Sequence, residues 1–348
     1  MSQNPERILI IKLSALGDIV QSLPVLQAIK DTWPNCKVDW ICGEVGKGLL
    51  EDHPFLDRVI VYPRAEFGRL ARMPIRWPLL LKKLADLRKD LVSVSYDMAI
   101  DLQGLLKSGL INFLSEAKVK AGFDRSREFS YIFLNKKVPP YDPDKHAVLR
   151  YLDLVRALGA SSKEIRFPVH VTEDHFQNAQ KLLDRYQINQ DNFAILIPGT
   201  IWPTKRWLTS SFAELAKLIQ KDTDLHSLVV GGAQDNALGR EIALLSNGAA
   251  KDLTGTTDLK TLSALFKMSR FGVSTDTGPM HLAAACGLRL VALFGPTAPW
   301  RTGPFGNGHI VIRKEMACSP CFKRSCSHNS CMKSIGVEEV FDAVKRLF

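Results

Sequence analysis

The sequence predicts an α/β protein built from two doubly wound domains, and three observations predict it. Short strands apolar on both faces recur early in the chain, as parallel strands covered by helices require. Residues 7–13 (RILIIKL), 37–42 (KVDWIC) and 59–62 (VIVY) are of this kind, and helical or glycine-bearing stretches separate them. The same strand-helix rhythm restarts at Phe193, after a change of texture around residues 166–172 (RFPVHVT). At 348 residues the chain also exceeds the usual size of a single core, so two domains are the default expectation.

Composition narrows the class of function. Hydrophobic residues make up 46% of the chain, and the mean hydropathy of −0.03 describes a soluble globular protein. No apolar run is long enough to span a bilayer, and the opening MSQNPERILIIKL lacks the form of a signal peptide, so a cytoplasmic location is expected. The net charge of +10 favours anionic partners: nucleic acid, phosphorylated substrates or an anionic membrane face. A nucleic-acid partner is not expected, because the basic residues sit at separate strand ends and no aromatic platform or recognition motif accompanies them. Three cysteines, Cys36, Cys42 and Cys286, read as small buried residues. The other four, Cys318, Cys321, Cys326 and Cys331, cluster near the end. Without a secretory signal they read as thiols or as ligands of zinc or an iron–sulfur centre, or else as a packed loop. Their spacing does not match the two-knuckle zinc pattern.

Taken in order, the first strand leads into a tight loop at residues 14–18 (SALGD) and a helix over 19–32, broken before Pro34. Asp18 then lies at the carboxyl end of the first strand, where such sheets bind ligands. It is either a helix N-cap or a carboxylate offered to a substrate hydroxyl. Residues 64–89 interleave Arg64, Arg69, Arg72 and Arg76 with Phe67, Trp77 and the leucines at 79–81. Such a stretch suits an anionic amphiphile or a membrane surface, or forms a surface helix with a solvated charged face. A strand over 96–101 (YDMAID) places Lys107 in the loop or first turn after it. Residues 120–127 (KAGFDRSR) read as a turn, and a helix begins at 145–150, where His146 and Arg150 share one face. Lys107, Arg127, His146 and Arg150 are candidates to converge as anion ligands.

In the second half, the strand 194–200 (AILIPGT) runs into a loop carrying Thr200 and Lys205, with a helix from about Ser210. A lysine there can neutralise a diphosphate as a point charge. The loop is not GxxxxGK[ST], so nucleoside triphosphate hydrolysis is not inferred. Asp235, just past the strand 225–232, is either a ribose acceptor or part of a plain surface turn. The stretch 271–299 (FGVSTDTGPMHLAAACGLRLVALFGPTAP) reads as a strand ending at Val273, a turn over 274–278, a helix over 280–286 and a strand over 290–294. Pro279 suits the first helical position, and Gly287 closes the helix. The helix start would aim amides at the sheet's carboxyl edge beside Asp276, Thr277, Gly278 and His281, a site for a phosphate-bearing ligand with polyol groups. The plainer reading is a crossover capped by Asp276 or Thr277.

Several of these segments together resemble the ADP-heptose:lipopolysaccharide heptosyltransferases of glycosyltransferase family 9. The resemblance covers nearly the whole chain and rests on ILIIKLSALGDIVQSLP, DLQGLLKS, PGTIWPTKRW, and STDTGPMHLAAACG followed by ALFGPTAP. The DLQGLLKS and STDTG wording is closer to heptosyltransferase I than to heptosyltransferase II. The resemblance implies a GT-B fold of two Rossmann-like domains facing across a cleft: residues 1–168 for the acceptor, 169–335 for the sugar nucleotide, and a helix over 336–348 packing back on the first domain. It implies inverting transfer of L-glycero-D-manno-heptose from ADP-heptose to the Kdo region of the lipopolysaccharide inner core, at the cytoplasmic face of the inner membrane and with no cofactor. Asp18 then matches the catalytic base. Lys205 matches the lysine at the donor phosphate, beside Thr200, with Asp276 near the heptose, Thr277 and Gly278 at the diphosphate, and His281 adjacent. Asp235, read from its place after the strand 225–232 and not from the resemblance, completes the donor set. Lys107, Arg127, His146 and Arg150 match positions that meet the carboxylates and phosphates of Kdo2-lipid A, and Arg64 and Arg72 fall in the family's acceptor loop. The rival readings are transfer to an already heptosylated core, as by heptosyltransferase II or III, transfer to another acceptor such as a protein, and sugar-nucleotide binding without turnover.

Overall fold

The computed structural model describes residues 4–347, and the chain divides between His170 and Val171 into two compact units. In the first unit, β1 (Arg7–Ile11), β2 (Lys37–Cys42), β3 (Arg58–Val61), β4 (Met98–Asp101), β5 (Val119–Phe123) and β6 (Lys136–Val138) form one sheet in the order β3-β2-β1-β4-β5-β6. Every pairing is parallel. The connecting helices are α1 (Leu16–Thr32), α2 (Glu44–Leu50), α3 (Arg64–Ala71), α4 (Trp77–Leu91), α5 (Leu106–Leu114) and α6 (Ala147–Ala157). Ile8, Leu9, Ile10 and Ile11 are fully buried, as the unbroken apolar run requires of a central strand covered on both faces.

Two expectations shift here. Helix α1 begins at Leu16 with Ala15 as its N-cap, so Asp18 is not the cap. It stands in the first turn, and its Oδ2 accepts the Ala15 amide at 3.1 Å. The expected turn over 120–127 is strand as far as Phe123, because residues 121–123 pair with β6 and Val119–Gly122 with β4. Gly122 permits this packing: a Cβ there would stand 3.0 Å from Leu134 Cδ1.

The second unit repeats the plan. After α7 (Glu173–Asp184), the strands are β7 (Phe193–Ile197), β8 (His226–Val229), β9 (Ala250–Asp252), β10 (Gly272–Thr275), β11 (Leu290–Phe294) and β12 (Ile310–Arg313), ordered β12-β11-β10-β7-β8-β9. All pairings are again parallel. The remaining helices are α8 (Thr209–Thr223), α9 (Asn236–Leu245), α10 (Leu259–Met268), α11 (Gly278–Ala285), α12 (Pro299–Thr302), α13 (Ser330–Lys333) and α14 (Val337–Lys345). Both sheets therefore set their first and fourth strands side by side, with the connections turning opposite ways from that pair. This is where doubly wound sheets bind ligands.

Strand β10 runs past Val273 to Thr275, so Ser274 and Thr275 are not turn residues. Both are fully buried with hydroxyls bonded to backbone, Ser274 to Thr275 O at 2.8 Å and Thr275 to Ile197 O at 3.3 Å. Helix α11 starts at Gly278, which puts Pro279 in its first turn. It ends with Gly287 at φ +86°, a left-handed closure that lets Leu288 N–H reach Ala283 O at 3.1 Å.

The closing helix departs from its expected course. The stripe Val340, Phe341, Ala343, Val344 and Leu347 is buried in the second unit's own core, against α8 and β11. Trp207 Nε1–H donates to Ile335 O at 2.9 Å and fixes the approach. Replacing Phe341, which is 4% exposed, with Ala should cost about 3–5 kcal/mol. Hydrogen exchange should then show lost protection in α8 and β11 with β1 and β2 unchanged; loss confined to the first unit would contradict this packing.

Candidate active site

In the second unit, the loops leaving three neighbouring strands meet at one carboxylate. Asp276 follows β10, Lys205 follows β7 and Thr297 follows β11. Lys205 Nζ lies 2.7 Å from Asp276 Oδ2, and the Thr297 hydroxyl donates to the same oxygen at 2.6 Å. The Thr200 hydroxyl donates to Asp276 O at 3.2 Å, tying β7's loop to β10's a second time. Asp276 is buried, whereas the Lys205 side chain keeps 16% of its surface exposed, with its ammonium 4.5 Å from the Trp202 ring. A cation held this way can face a ligand without searching for its position.

Beside this pair, α11 begins with Thr277 as N-cap in extended conformation, and no side chain caps its first turn. Its leading amides therefore retain their hydrogen-bonding capacity for an anion. His281 is buried in the same helix. Asp235 packs over the glycines that end β7 and β8; a Cβ on Gly199 would meet its carboxylate at 2.4 Å. The Asp235 carboxylate accepts from Gly232 N–H at 3.0 Å and from Gln234 Nε2–H at 3.2 Å, both on Oδ2. The structure thus brings Thr200, Lys205, Asp235, Asp276, Thr277, Gly278 and His281 to one edge of one sheet.

The first unit gathers its groups at the equivalent edge. Gln103 Oε1 accepts the amides of Leu13 and Ser14, both at 3.2 Å, and so clips the loop after β4 to the loop after β1. Lys12 is buried, its Nζ donating to Leu102 O at 3.1 Å and to the Tyr151 hydroxyl at 2.8 Å. Burial works to lower the Lys12 pKa, but Tyr151, Asp18 and Asp101 outweigh it and hold the ammonium above its ordinary value. Asp101 is pushed up by burial, against opposing hydrogen bonds from Gly104, Ser108 and Gln103. Lys12, Tyr151, Arg127 and Arg150 line one pocket with Tyr141. Arg150 stacks 4.7 Å from the Tyr141 ring, and its buried Nε finds no hydrogen-bond partner among the described residues.

The other acceptor candidates are not among that pocket's lining residues. His146 does not share a helix face with Arg150: it is the N-cap of α6, and its Nδ1 accepts Val148 N–H at 3.3 Å. Lys107 lies in the first turn of α5, its pKa lowered by burial and by the nearby Arg64 cation, with Glu128 opposing. Arg72 caps the end of α3 on an exposed turn.

The terminal cysteines lie near one another, with Cys318, Cys321 and Cys326 all acting on the Cys331 thiol. Among the described residues no group of three or more His, Cys, Asp or Glu side chains is arranged to hold an ion. Cys318 and Cys326 are exposed, and Cys331 is buried, its thiol pushed up first by that burial. The segment braces the Lys205 loop: the Thr204 hydroxyl donates to Lys323 O at 2.8 Å, and Arg324 stacks 5.0 Å from the Trp202 ring.

Comparison with known proteins decides the family. Residues 84–332 match the profile of glycosyltransferase family 9 (heptosyltransferase). The chain belongs to that family. It is therefore a glycosyltransferase, and its two doubly wound units are those of a GT-B enzyme. Lipopolysaccharide heptosyltransferase 1 of Pseudomonas aeruginosa is 29% identical over 333 residues, covering 92% of this chain and 88% of the relative. Lipooligosaccharide heptosyltransferase 2 of Campylobacter jejuni is 25% identical over 341 residues, 95% of this chain and 96% of that one. Among solved structures, the Escherichia coli heptosyltransferase WaaC with ADP superposes with a TM-score of 0.80 at 24% identity, over 98% of this chain and all of that one.

Sequence reasoning passed over Lys12, Gln103, Tyr151 and Thr297. Lys12 carried a signal, being a charge set into an apolar strand directly before a ligand-edge loop; Tyr151 and Thr297 carried none short of the fold. One electrostatic consequence is open to direct measurement. Because the Arg64 cation helps hold the Lys107 pKa down, Arg64→Ala should raise it, and NMR titration of lysine side-chain resonances would read the rise. An unchanged or lowered Lys107 value would contradict their proximity.

Proposed function

We propose that this family 9 enzyme transfers L-glycero-D-manno-heptose from ADP-heptose, with inversion, to the Kdo region of the lipopolysaccharide inner core at the cytoplasmic face of the inner membrane. The observation that carries the reading is the Lys205–Asp276 pair beside the uncapped start of α11. A diphosphate leaving group gathers negative charge as the glycosidic bond breaks, and a fixed ammonium with free amides stabilises that charge where it develops. Lys205 and the amides following Thr277 are assigned this role, Asp276 and Thr297 orient Lys205, and Asp235 Oδ1 accepts from the ribose.

Asp18 is assigned as the general base. A carboxylate in the first turn of α1 lies at the ligand edge of the first sheet, and its environment includes the buried Lys12 ammonium. It takes the proton from the acceptor hydroxyl as that oxygen attacks the anomeric carbon from the face opposite ADP. Arg127 and Arg150, with Lys107, Arg64 and Arg72, hold the anionic groups of the acceptor. His146, as the cap of α6, steadies Arg150 one turn later. The choice of Kdo2-lipid A over a heptosylated core rests on the DLQGLLKS and STDTG wording and on the cationic pocket, which suits a carboxylate-bearing sugar.

Asp18→Asn should lower turnover by about 10²-fold or more, with ADP-heptose affinity retained. Near-normal turnover in a folded variant would remove Asp18 from the role. Lys205→Ala should weaken ADP-heptose binding by about ten- to a hundredfold, the worth of one charge-assisted contact; calorimetry giving the wild-type affinity would leave Lys205 a merely structural residue.

A further inference from the structure

The connection from α3 to α4 carries more apolar surface than the fold uses. Helix α4 already presents a core-facing stripe of Leu80, Leu84, Leu87 and Leu91 at helical spacing, and Phe67 of α3 joins the same core, with Leu70 also buried. Between residues 73 and 81 a second apolar set lies outside it. Ile75 is 89% exposed, Leu81 65%, Trp77 53%, Leu79 43% and Met73 38%. Every residue from 71 to 79 is exposed, and the Trp77 indole N–H donates to Ala71 O at 3.3 Å, which fixes the ring on the turn.

Positive charge surrounds this tip. Residues 64–89 hold eight Lys and Arg against Glu66 and Asp86 alone. Glu66 pairs with Lys83 at 2.9 Å, locking α3 to α4, and Arg88 pairs with Glu116. Among the described residues no ion pair or side-chain hydrogen bond engages Arg69, Arg76 or Lys82. Exposed aliphatic side chains and an indole, ringed by unneutralised cations on a short helical hairpin, form the complement of a lipid interface: acyl chains below, phosphates at the level of the charges.

We infer that the α3–α4 hairpin is a docking element for an anionic bilayer surface, with Ile75, Trp77, Leu79 and Leu81 entering the interface and Arg69, Arg76 and Lys82 meeting lipid phosphates. This deepens the proposed reaction at the membrane and rests on it for its purpose, while the binding itself needs neither donor nor acceptor. A membrane-bound enzyme meets a lipid-linked acceptor by diffusion in two dimensions, so docking raises the encounter rate without touching the chemistry.

Two measurements on the full chain test this separately. In the first, the protein is sedimented with vesicles of phosphatidylethanolamine and phosphatidylglycerol, with no acceptor present. Binding should weaken at least about tenfold in I75S/W77S/L81S and about fivefold for each charge removed in R76S and K82S. It should be lost on neutral phosphatidylcholine vesicles and in high salt. In the second, turnover on a soluble, acyl-free Kdo acceptor should be the same for I75S/W77S/L81S as for the wild type. Wild-type vesicle binding by the triple variant would overturn the inference, as would equal binding to neutral vesicles. So would a self-associated wild type, seen by ultracentrifugation, whose dimer the triple variant abolishes, since the patch would then serve a second copy. Hairpin-dependent binding by an enzyme that turns over no Kdo acceptor would sustain the docking element and sink the proposed acceptor.

Discussion

One oxygen organises the ligand edge of the second sheet. Asp276 Oδ2 receives the Lys205 ammonium and the Thr297 hydroxyl, so loops from β7, β10 and β11 converge on a single buried atom. A buried ion pair is expensive to desolvate and persists where further hydrogen bonds satisfy it. Here the additional hydroxyl and the Thr200 link to Asp276 O perform that service. The consequence is a lysine whose position is set before any ligand arrives. Its neighbours follow from the same constraint: α11 must start where β10 ends, and the terminal segment must press on the loop at Thr204 and Trp202 to keep Lys205 in place.

The first unit answers with a different device at the equivalent point. Gln103 holds the loops after β1 and β4 together through two neutral hydrogen bonds, and the buried charge is Lys12. Its nearest partners are a carbonyl and a phenol, with the carboxylates of Asp18 and Asp101 acting at longer range. A cation placed so, with Arg127 and Arg150 lining the same pocket, makes this edge positive. One unit therefore presents a lysine paired directly to a carboxylate, the other a cluster of Lys12, Arg127 and Arg150 in which Lys12 has no direct carboxylate contact. That contrast supports the proposal of a leaving-group site in one unit and an anionic-acceptor site in the other.

Much of this was legible in the chain because parallel strands announce themselves. The runs RILIIKL and AILIPGT are apolar on both faces, a pattern that admits few structures other than a covered sheet. The strand-end positions of the candidate residues were legible for the same reason: once a strand is located, its carboxyl end is located. What the sequence concealed depends on long-range contact. The segment 120–127 carries turn residues yet is strand through Phe123, because β4 and β6 supply the pairing on either side. Helix α14 has an amphipathic stripe that fits any apolar groove, and only the packing of Phe341 in the second unit's core decides which. The four terminal cysteines read equally as thiols, ligands or a packed loop from spacing alone, and only the fold shows that their segment reaches the Lys205 loop.

The proposed function is transfer of heptose from ADP-heptose to the Kdo region, with Asp18 of the first unit as base and Lys205 of the second at the diphosphate. It is tested most directly by following ADP release from ADP-heptose with the purified enzyme, with and without Kdo2-lipid A, and determining the anomeric configuration of the product. The account predicts release that depends on Kdo2-lipid A and a product with inverted configuration. Release at the same rate without acceptor, release only with an already heptosylated core, or retention of configuration would contradict it.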